Sequence, residues 1–206
     1  MRNSPSNKQI EGILLAAGES RRMGFPKPLL RLNGETFLTH VAKTMLLSVE
    51  RLIIVLGAHR EEVAATIPAD SRTTIIENPD YALGQLSSVQ AGLGAVSVDA
   101  AAVIVHLVDH PTVRPETFGQ LTKEYGVSGK PILIARYRGN RGHPVLFDRS
   151  IFDELQRAPA SVGARAVVTA DADRVVYVDV EDPGVLLDLD TPADLSRAGL
   201  PAVPAR

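Results

Sequence analysis

Two kinds of hydrophobic pattern alternate along the chain. Short apolar runs predict buried strands, whereas apolar residues that recur every three or four positions predict helices that cover those strands. The predicted strands are residues 10–16, 51–57, 73–77, 102–108, 131–137, 145–147 and 174–180. The predicted helices are residues 37–46, 61–67, 85–96, 115–125, 150–157 and 163–170.

This order of elements predicts an α/β fold of three layers. Strands and helices alternate through the first half of the chain, which is typical of a mainly parallel sheet with helices on both faces. The later strands lie closer together and predict an antiparallel element at the edge of the sheet. The 206 residues suit one domain spanning residues 1–206, long enough to bury roughly 70% of the surface of the unfolded chain.

The most informative segment is the loop after the first predicted strand, where residues 14–27 read LLAAGESRRMGFPK. Gly18 and Gly24 allow backbone torsions and a close ligand approach that a side chain would block. Cations suited to phosphate groups follow within the same loop: Arg21, Arg22 and Lys27. The segment predicts a site for a nucleoside triphosphate, and a solvated basic turn is the alternative.

Two familiar phosphate loops do not fit this segment. A Walker loop needs lysine and a hydroxyl residue after its last glycine, but Phe25 and Pro26 follow Gly24. A dinucleotide fingerprint needs a second glycine two residues after the first, and Ser20 stands there. A P-loop ATPase and a dinucleotide-dependent dehydrogenase are therefore not expected.

Asp109 is the strongest candidate functional residue outside the loop. It follows the apolar run 102–108, which reads as a central parallel strand, and open α/β sheets bind ligands beyond the carboxyl ends of their strands. A zinc site with His106 and His110 is not expected, because residues 106 and 109 lie an odd number apart and face opposite sides of a strand.

The loop resembles the L-A-A-G-x-S-x-R-M-G-x-x-K stretch of the MobA-like nucleotidyltransferases. The resemblance implies a Rossmann-like nucleotidyltransferase fold and a loop that wraps the triphosphate. It also implies that Arg22 and Lys27 are catalytic cations that offset charge on the reacting phosphates. The implied nucleotide cradle is Leu15, Ala16, Ala17, Gly18, Glu19 and Ser20.

Other segments resemble the same family in the same order. Residues 78–93 match N-P-x-x-x-x-G-x-x-x-S, which implies a loop that meets the base and ribose. The implied contacts there are Asn78, Ser87 and Ser88. Read alone, the beginning of this segment is also a good turn sequence. At residues 107–111 the family uses the aspartate, here Asp109, as a catalytic ligand for Mg²⁺.

Residues 187–192 resemble the D-x-D-T-P element of the family's cytidylyltransferase branch. Mg²⁺ is held by one or two carboxylates together with phosphate oxygens, so Asp190 or Asp188 joins Asp109 as a metal ligand. Residues two apart share one face of a strand, and we rank Asp190 first. Thr191 and Pro192 also form a plain helix start.

Residues 141–147 resemble the G-H-P element of the same branch. The resemblance implies that Arg138, Arg141 and His143 bind the acceptor, a phosphorylated pterin. From the residues alone, a cationic loop for an anionic substrate and a solvated charged turn are both open.

The resemblance implies Mg²⁺-dependent transfer of CMP from CTP to the molybdenum cofactor, with a molybdenum hydroxylase as client. CTP is favoured over GTP because guanylyl-transferring relatives tend to carry glycine in the place of Ala17. The alternatives are GTP as donor, a sugar or polyol phosphate as acceptor, and a non-catalytic carrier of the finished cofactor.

Composition narrows the class of protein. With 22 Lys and Arg against 24 Asp and Glu, the chain has no global basic field, and no nucleic-acid partner is expected. The absence of cysteine excludes disulfides, thiolate metal sites and a cysteine nucleophile. Because no apolar run is long enough for a membrane segment, a soluble cytoplasmic protein is expected. The oligomeric state is not predicted.

Overall fold

The computed structural model describes residues 9–203, so both ends of the predicted domain, residues 1–8 and 204–206, lie outside the described residues. Most strands form one seven-stranded sheet with the order β5-β4-β1-β6-β8-β7-β9, and β2 pairs with β3 in a small separate ribbon. The strands are β1 Ile10–Ala16, β2 Arg31–Leu32, β3 Glu35–Thr36, β4 Arg51–Leu56, β5 Thr73–Glu77, β6 Ala102–Leu107, β7 Ile132–Tyr137, β8 Asn140–Asp148 and β9 Val175–Asp179.

The helices lie between these strands, as the periodicity predicts, except for the last, which follows β9. They are α1 Phe37–Met45, α2 Arg60–Ala64, α3 Gln85–Leu93, α4 Pro115–Ser128, α5 Phe152–Arg157, α6 Gly163–Thr169 and α7 Pro192–Arg197. The side chain of Thr36 caps α1 by accepting a hydrogen bond from the backbone N–H of Thr39. Thr191 and Asp194 form a capping box at the start of α7, so the helix start predicted at Thr191 is confirmed.

The sheet is parallel except for β8, which runs antiparallel to both β6 and β7. The predicted α/β class and the antiparallel element are therefore confirmed. A short turn joins β7 to β8, and only an antiparallel pair can be closed by so short a connection. The hairpin lies close to one edge of the sheet, and β9 pairs with β7 to form that edge.

Hydrophobic layers cover both faces of the sheet. Alternate residues of a strand point to opposite faces, and Leu14 and Ile13 of β1 belong to different core clusters. The cluster on one face is completed by α1 and α4, and the cluster on the other face by α3 and α5. This arrangement confirms the three layers. Within residues 9–203, no helix combines the length and the apolar composition needed to cross a bilayer.

The register of the central strands positions the functional loops. β1 and β6 are parallel neighbours, and Leu15 lies opposite Leu107 near the carboxyl ends of both strands. The loop 17–26 and the turn that carries Asp109 therefore leave the sheet side by side.

Candidate active site

A cleft of about 320 Å³ opens where β1 and β6 end. Most of the residues predicted to bind the nucleotide line it, although they come from distant parts of the sequence. The predicted residues along its walls are Leu15, Ala16, Ala17, Gly18, Ser20, Arg22, Lys27, Ser88, Asp109 and Asp190. Glu19 is not among them, and its carboxylate forms an ion pair with Arg21 instead.

The loop that forms one wall folds around Ser20. This residue has a left-handed backbone with φ of 56°, and its Oγ accepts a hydrogen bond of 2.9 Å from the backbone N–H of Lys27. Its carbonyl oxygen accepts from the backbone N–H of Met23 and of Gly24. The loop is therefore held at both ends, while the guanidinium of Arg22 stays largely exposed beside the cleft.

Lys27 is the buried cation of the site. Its Nζ lies 2.7 Å from Oδ2 of Asp109, contacts Oδ1 of Asp190, and is 3.9 Å from Oδ1 of Asp188. Burial by itself lowers the pKa of Lys27, but the carboxylates of Asp109 and Asp190 outweigh it, and the net pKa is raised. The ammonium therefore stays charged at neutral pH.

The carboxylates around Lys27 are in different electrostatic states. Asp190 has a cation on each oxygen, because its Oδ2 also lies 2.6 Å from Nη1 of Arg22. Burial raises the pKa of Asp190, but Lys27 and Arg22 hold the net value below the ordinary one. For Asp188, burial and the repulsion of Asp109 raise the pKa to about 6. Asp188 is therefore the carboxylate least compensated by protein cations.

The site fits a divalent cation. Oδ1 of Asp109 is buried and has no hydrogen-bond partner among residues 9–203, while Oδ2 is bound to Lys27. A buried carboxylate oxygen without a partner costs free energy unless a cation is bound to it. Asp188 supplies a second carboxylate nearby, and such oxygens are the ligands that Mg²⁺ prefers.

Asn78 and Ser87 lie behind the wall of the cleft and do not line it. The side-chain amide of Asn78 donates to Oγ of Ser87 and of Ser88, at 2.9 Å each, and its oxygen accepts from the backbone N–H of Asp80. These bonds hold the loop 78–84 against the first turn of α3. In this structure Ser88 reaches the cleft, whereas Asn78 and Ser87 shape it from behind.

Tyr81 and Gln85 line the cleft although the sequence analysis did not single them out. A side-chain carbon built on Gly57 would lie 2.8 Å from the ring of Tyr81 and 2.9 Å from the methyl carbon of Ala17. The ring of Tyr81 and the methyl group of Ala17 therefore both pack against Gly57, where a side chain would not fit. Both missed residues lie between Asn78 and Ser88, so their position inside that matching segment was an available signal.

A second cavity of about 450 Å³ adjoins the first, and Gln85 lines both. Its walls are largely apolar side chains from β6, β7, β8, α3 and α6. Its polar lining residues are Gln85, His110, Arg141, His143, Arg165 and Asp188.

The structure separates the residues predicted to bind the acceptor. Arg141 and His143 line the second cavity, but Arg138 does not. Arg138 lies in the turn between β7 and β8 with φ of 48°, and its guanidinium lies 5.2 Å from the centre of the Tyr137 ring. Arg165 of α6 lines the cavity although no motif pointed to it.

A group of histidines lies at the second cavity, where His110 and His143 line the wall and His106 is buried beside them. The ring of His110 is 5.5 Å from that of His143 and 6.1 Å from that of His106, between centroids. Burial lowers the pKa of all of them, that of His143 to about 4, so they are neutral near pH 7. His106 packs edge-on against Phe118, 5.0 Å away.

The histidine geometry partly corrects the argument from strand alternation. That argument applied strand alternation to residues 106 and 109, but β6 ends at Leu107 and residues 108 and 109 form a turn. His110 consequently comes close to Asp109 and Asp188, with one ligand atom from each within 4.8 Å of the others. His106 does not join this group.

The fold and the site together define a nucleotidyltransferase: a mainly parallel sheet, a glycine- and arginine-containing loop after its first strand, and a lysine among carboxylates at the carboxyl ends. The chain belongs to the family described as the MobA-like NTP transferase domain, whose model matches residues 12–175.

Relatives of known function cover nearly the whole chain. It is 31% identical to the molybdenum cofactor cytidylyltransferase of Escherichia coli (strain K12), over 92% of this chain and 95% of the relative. It is 30% identical to a molybdenum cofactor guanylyltransferase of Cereibacter sphaeroides, over 92% and 95%.

Solved structures share this fold. Rv0371c from Mycobacterium tuberculosis H37Rv superposes with a TM-score of 0.78 at 30% identity, covering 92% of this chain and 96% of that one. A complex of Rv0371C with manganese superposes with a TM-score of 0.73 at 29% identity, covering 92% and 97%.

Proposed function

We propose that this protein transfers CMP from CTP to the molybdenum cofactor in a Mg²⁺-dependent reaction. The observation that carries the proposal is that two cavities adjoin: Lys27, Asp109 and Asp190 line the first, and Asp188, 3.9 Å from Lys27, lines the second. The first cavity has the cationic loop suited to a triphosphate. The second has apolar walls suited to a flat ring system, with Arg141 for an anionic group. The product would be the cofactor of a client enzyme, a molybdenum hydroxylase.

The reaction needs little covalent help from the protein. An oxygen of the terminal phosphate of the acceptor attacks the α-phosphorus of CTP, the bond from that phosphorus to the bridging oxygen breaks, and pyrophosphate leaves with the bonding electrons. Two anions must meet, so alignment and charge compensation dominate catalysis. Lys27 and Arg22 place positive charge where these phosphates converge.

We propose Asp109 and Asp188 as the residues that hold the metal, with Asp190 orienting Lys27 and Arg22. This choice reverses our ranking of Asp190 over Asp188, because both oxygens of Asp190 already contact cations. Bound Mg²⁺ would supply a Lewis acid that neutralises charge developing on the phosphate oxygens. The manganese complex of the mycobacterial relative supports a divalent metal in this fold.

The preference for CTP rests on Ala17. Its methyl carbon occupies the space next to Gly57 and Tyr81, which narrows the cleft where a larger purine would have to fit. We expect Ala17→Gly to improve binding of GTP relative to CTP by about tenfold, the size expected for one methyl group in a tight pocket. Competition binding of the two nucleotides tests this, and an unchanged ratio in the variant would reject the role of Ala17.

Release of pyrophosphate from CTP, Mg²⁺ and purified cofactor tests the activity. We expect release by the unaltered protein and strong loss in Lys27→Ala and Asp109→Asn, with Lys43→Ala as a control for loss of a surface lysine. Equal rates in all of these proteins would reject the enzyme and favour a carrier. Activity with GTP, or with a sugar or polyol phosphate instead of the pterin, would replace the named substrates and keep the reaction class.

A further inference from the structure

We propose that His110 is a nitrogen ligand of the cation held by Asp109 and Asp188, so that this site binds a first-row transition-metal ion in preference to Mg²⁺. The inference rests on the metal site of the proposed function and goes beyond it, because it changes both the ligand set and the class of metal.

The spacing of the ligand atoms supports a single shared ion. Divalent ions bind nitrogen and oxygen at about 2.0–2.2 Å, so two ligands of one ion lie up to about 4.4 Å apart. Here one atom each of Asp109, His110 and Asp188 lies within 4.8 Å of the others. Three ligands spaced evenly around one ion lie about 3.8 Å apart, so a movement of up to about 1 Å would let all of them bind one ion.

The two carboxylate oxygens of Asp109 differ in their hydrogen-bond partners. Its Oδ2 accepts the hydrogen bond of Lys27, while its buried Oδ1 has no partner in the part of the chain that the structure describes. Asp188 is 3.9 Å from Lys27 and makes no closer ion pair among the described residues. Both carboxylates therefore keep an oxygen for a cation other than Lys27.

The surroundings of His110 select which of its nitrogens is free. Nδ1 lies 3.5 Å from the carbonyl oxygen of Gly184, a contact that favours the proton on Nδ1 and the lone pair on Nε2. Metal-binding histidines commonly use such a second hydrogen bond to fix the ring. His110 is only 7% exposed, and its Nε2 has no hydrogen-bond partner within residues 9–203.

The carbonyl that orients His110 is itself held firmly. The backbone N–H of Gly184 donates a 2.9 Å hydrogen bond to Asp182, whose other oxygen accepts from Thr117 at 2.6 Å. A side-chain carbon on Gly184 would lie 2.6 Å from the carbonyl oxygen of Thr112, so the two segments touch. The orientation of His110 is thus built into the packing around it.

A nitrogen ligand changes which metals bind well. Mg²⁺ prefers oxygen ligands and gives up its waters reluctantly, whereas imidazole raises the affinity for transition-metal ions. A site of two carboxylates and one imidazole should therefore discriminate against Mg²⁺, although Mg²⁺ still fits its carboxylates.

Electron paramagnetic resonance of Mn²⁺ bound to the whole protein without nucleotide tests this ligand directly. We expect pulsed spectra to show coupling to ¹⁴N in the unaltered protein, and the coupling to become that of ¹⁵N when the histidines are labelled with ¹⁵N. This comparison needs no substitution, so it stands even if a variant folds poorly.

Substitutions then identify the histidine. We expect His110→Gln to lose the nitrogen coupling and to bind Mn²⁺ at least tenfold more weakly, with a much smaller change for Mg²⁺ measured by competition. His143→Gln is the matched control, since its imidazole lies nearby but outside the ligand group, and it should keep the coupling. Absent coupling in the unaltered protein, coupling that persists in His110→Gln, or equal weakening of both metals would overturn the inference.

The outcome is separable from the proposed function. An active CTP-dependent transferase without nitrogen coupling would reject the role of His110 alone. Coupling in a protein that releases no pyrophosphate from any donor would reject the proposed reaction and leave the metal ligand established.

Discussion

Lys27→Met replaces the buried ammonium by an apolar side chain of similar length. In the unaltered protein the ammonium compensates Asp109 and Asp190, so the variant leaves both carboxylates without their central cation. Breaking a buried ion pair costs about 3–5 kcal/mol. The carboxylates are 21% and 19% exposed, so water relieves part of this cost, and we expect a loss of about 1–3 kcal/mol.

The loss should depend on pH in a defined direction. In the unaltered protein the pKa of Asp190 is below its ordinary 3.8 and that of Lys27 above its ordinary 10.5. Their stabilising contribution is therefore complete between those values, and it is lost as the pH falls through the folded pKa of Asp190 or rises through that of Lys27. In the variant Arg22 still lowers the pKa of Asp190, but Lys27 no longer opposes the effect of burial. The pKa of Asp190 is therefore higher than in the unaltered protein, and protonation recovers part of the lost stability as the pH falls from 7 to 4.

Urea denaturation at pH 7 and pH 4 measures this effect, and release of pyrophosphate from CTP measures catalysis. We expect a smaller difference in the free energy of unfolding at pH 4, together with a rate about 100- to 1000-fold lower at pH 7, the usual effect of removing one group that stabilises transition-state charge. Lys43→Met is the control, because Lys43 pairs with Glu35 at the surface and such pairs contribute little. The same stability difference at both pH values, or turnover close to normal, would refute this account of Lys27.

Two further variants test the neighbouring parts of the site. Arg141→Ala should raise the KM for the acceptor about tenfold or more and leave nucleotide binding unchanged, since a charged hydrogen bond contributes about 1.5–3 kcal/mol. Arg138→Ala should leave both the KM for the acceptor and nucleotide binding unchanged. Equal effects of the two substitutions on the KM would contradict the assignment of the second cavity. Gly142→Ala should cost about 1–3 kcal/mol in urea denaturation, because its new methyl group would overlap the carbonyl oxygen of Val185. Gly126→Ala is the matched control, because Gly126 lies in α4 with open space around it. This substitution should be neutral or stabilising. Equal destabilisation by both substitutions would argue against the clash.

The elements with the clearest local patterns could be predicted from the sequence. β1 and β5 begin and end where the apolar runs predict. β8 was predicted only over residues 145–147, yet it spans Asn140–Asp148. Residues 140–144 carry no apolar alternation, and their strand conformation comes from pairing with β7, a contact that no local pattern encodes.

In the candidate site, too, some placements follow from local sequence and others depend on contacts between distant segments. Residues on one continuous loop, such as Ser20 and Lys27, line one cleft because their spacing limits how far apart they can lie. Their roles in nucleotide binding stay predictions. The placement of Arg138 away from the second cavity depended on the exact turn of a hairpin. The approach of His110 to Asp188 depended on segments 78 residues apart in the chain.

By itself, the sequence determined the alternation of strands and helices, the cationic loop after β1 and the carboxylate beyond β6, since each depends on residues close together in the chain. Only the tertiary structure decided which carboxylate Lys27 and Arg22 both bind, which oxygen of Asp109 keeps no hydrogen-bond partner among the described residues, and which histidine lies close to Asp109 and Asp188. The physical reason is that these properties arise from distances of a few ångströms between separate segments, and those distances exist only once both faces of the sheet have packed.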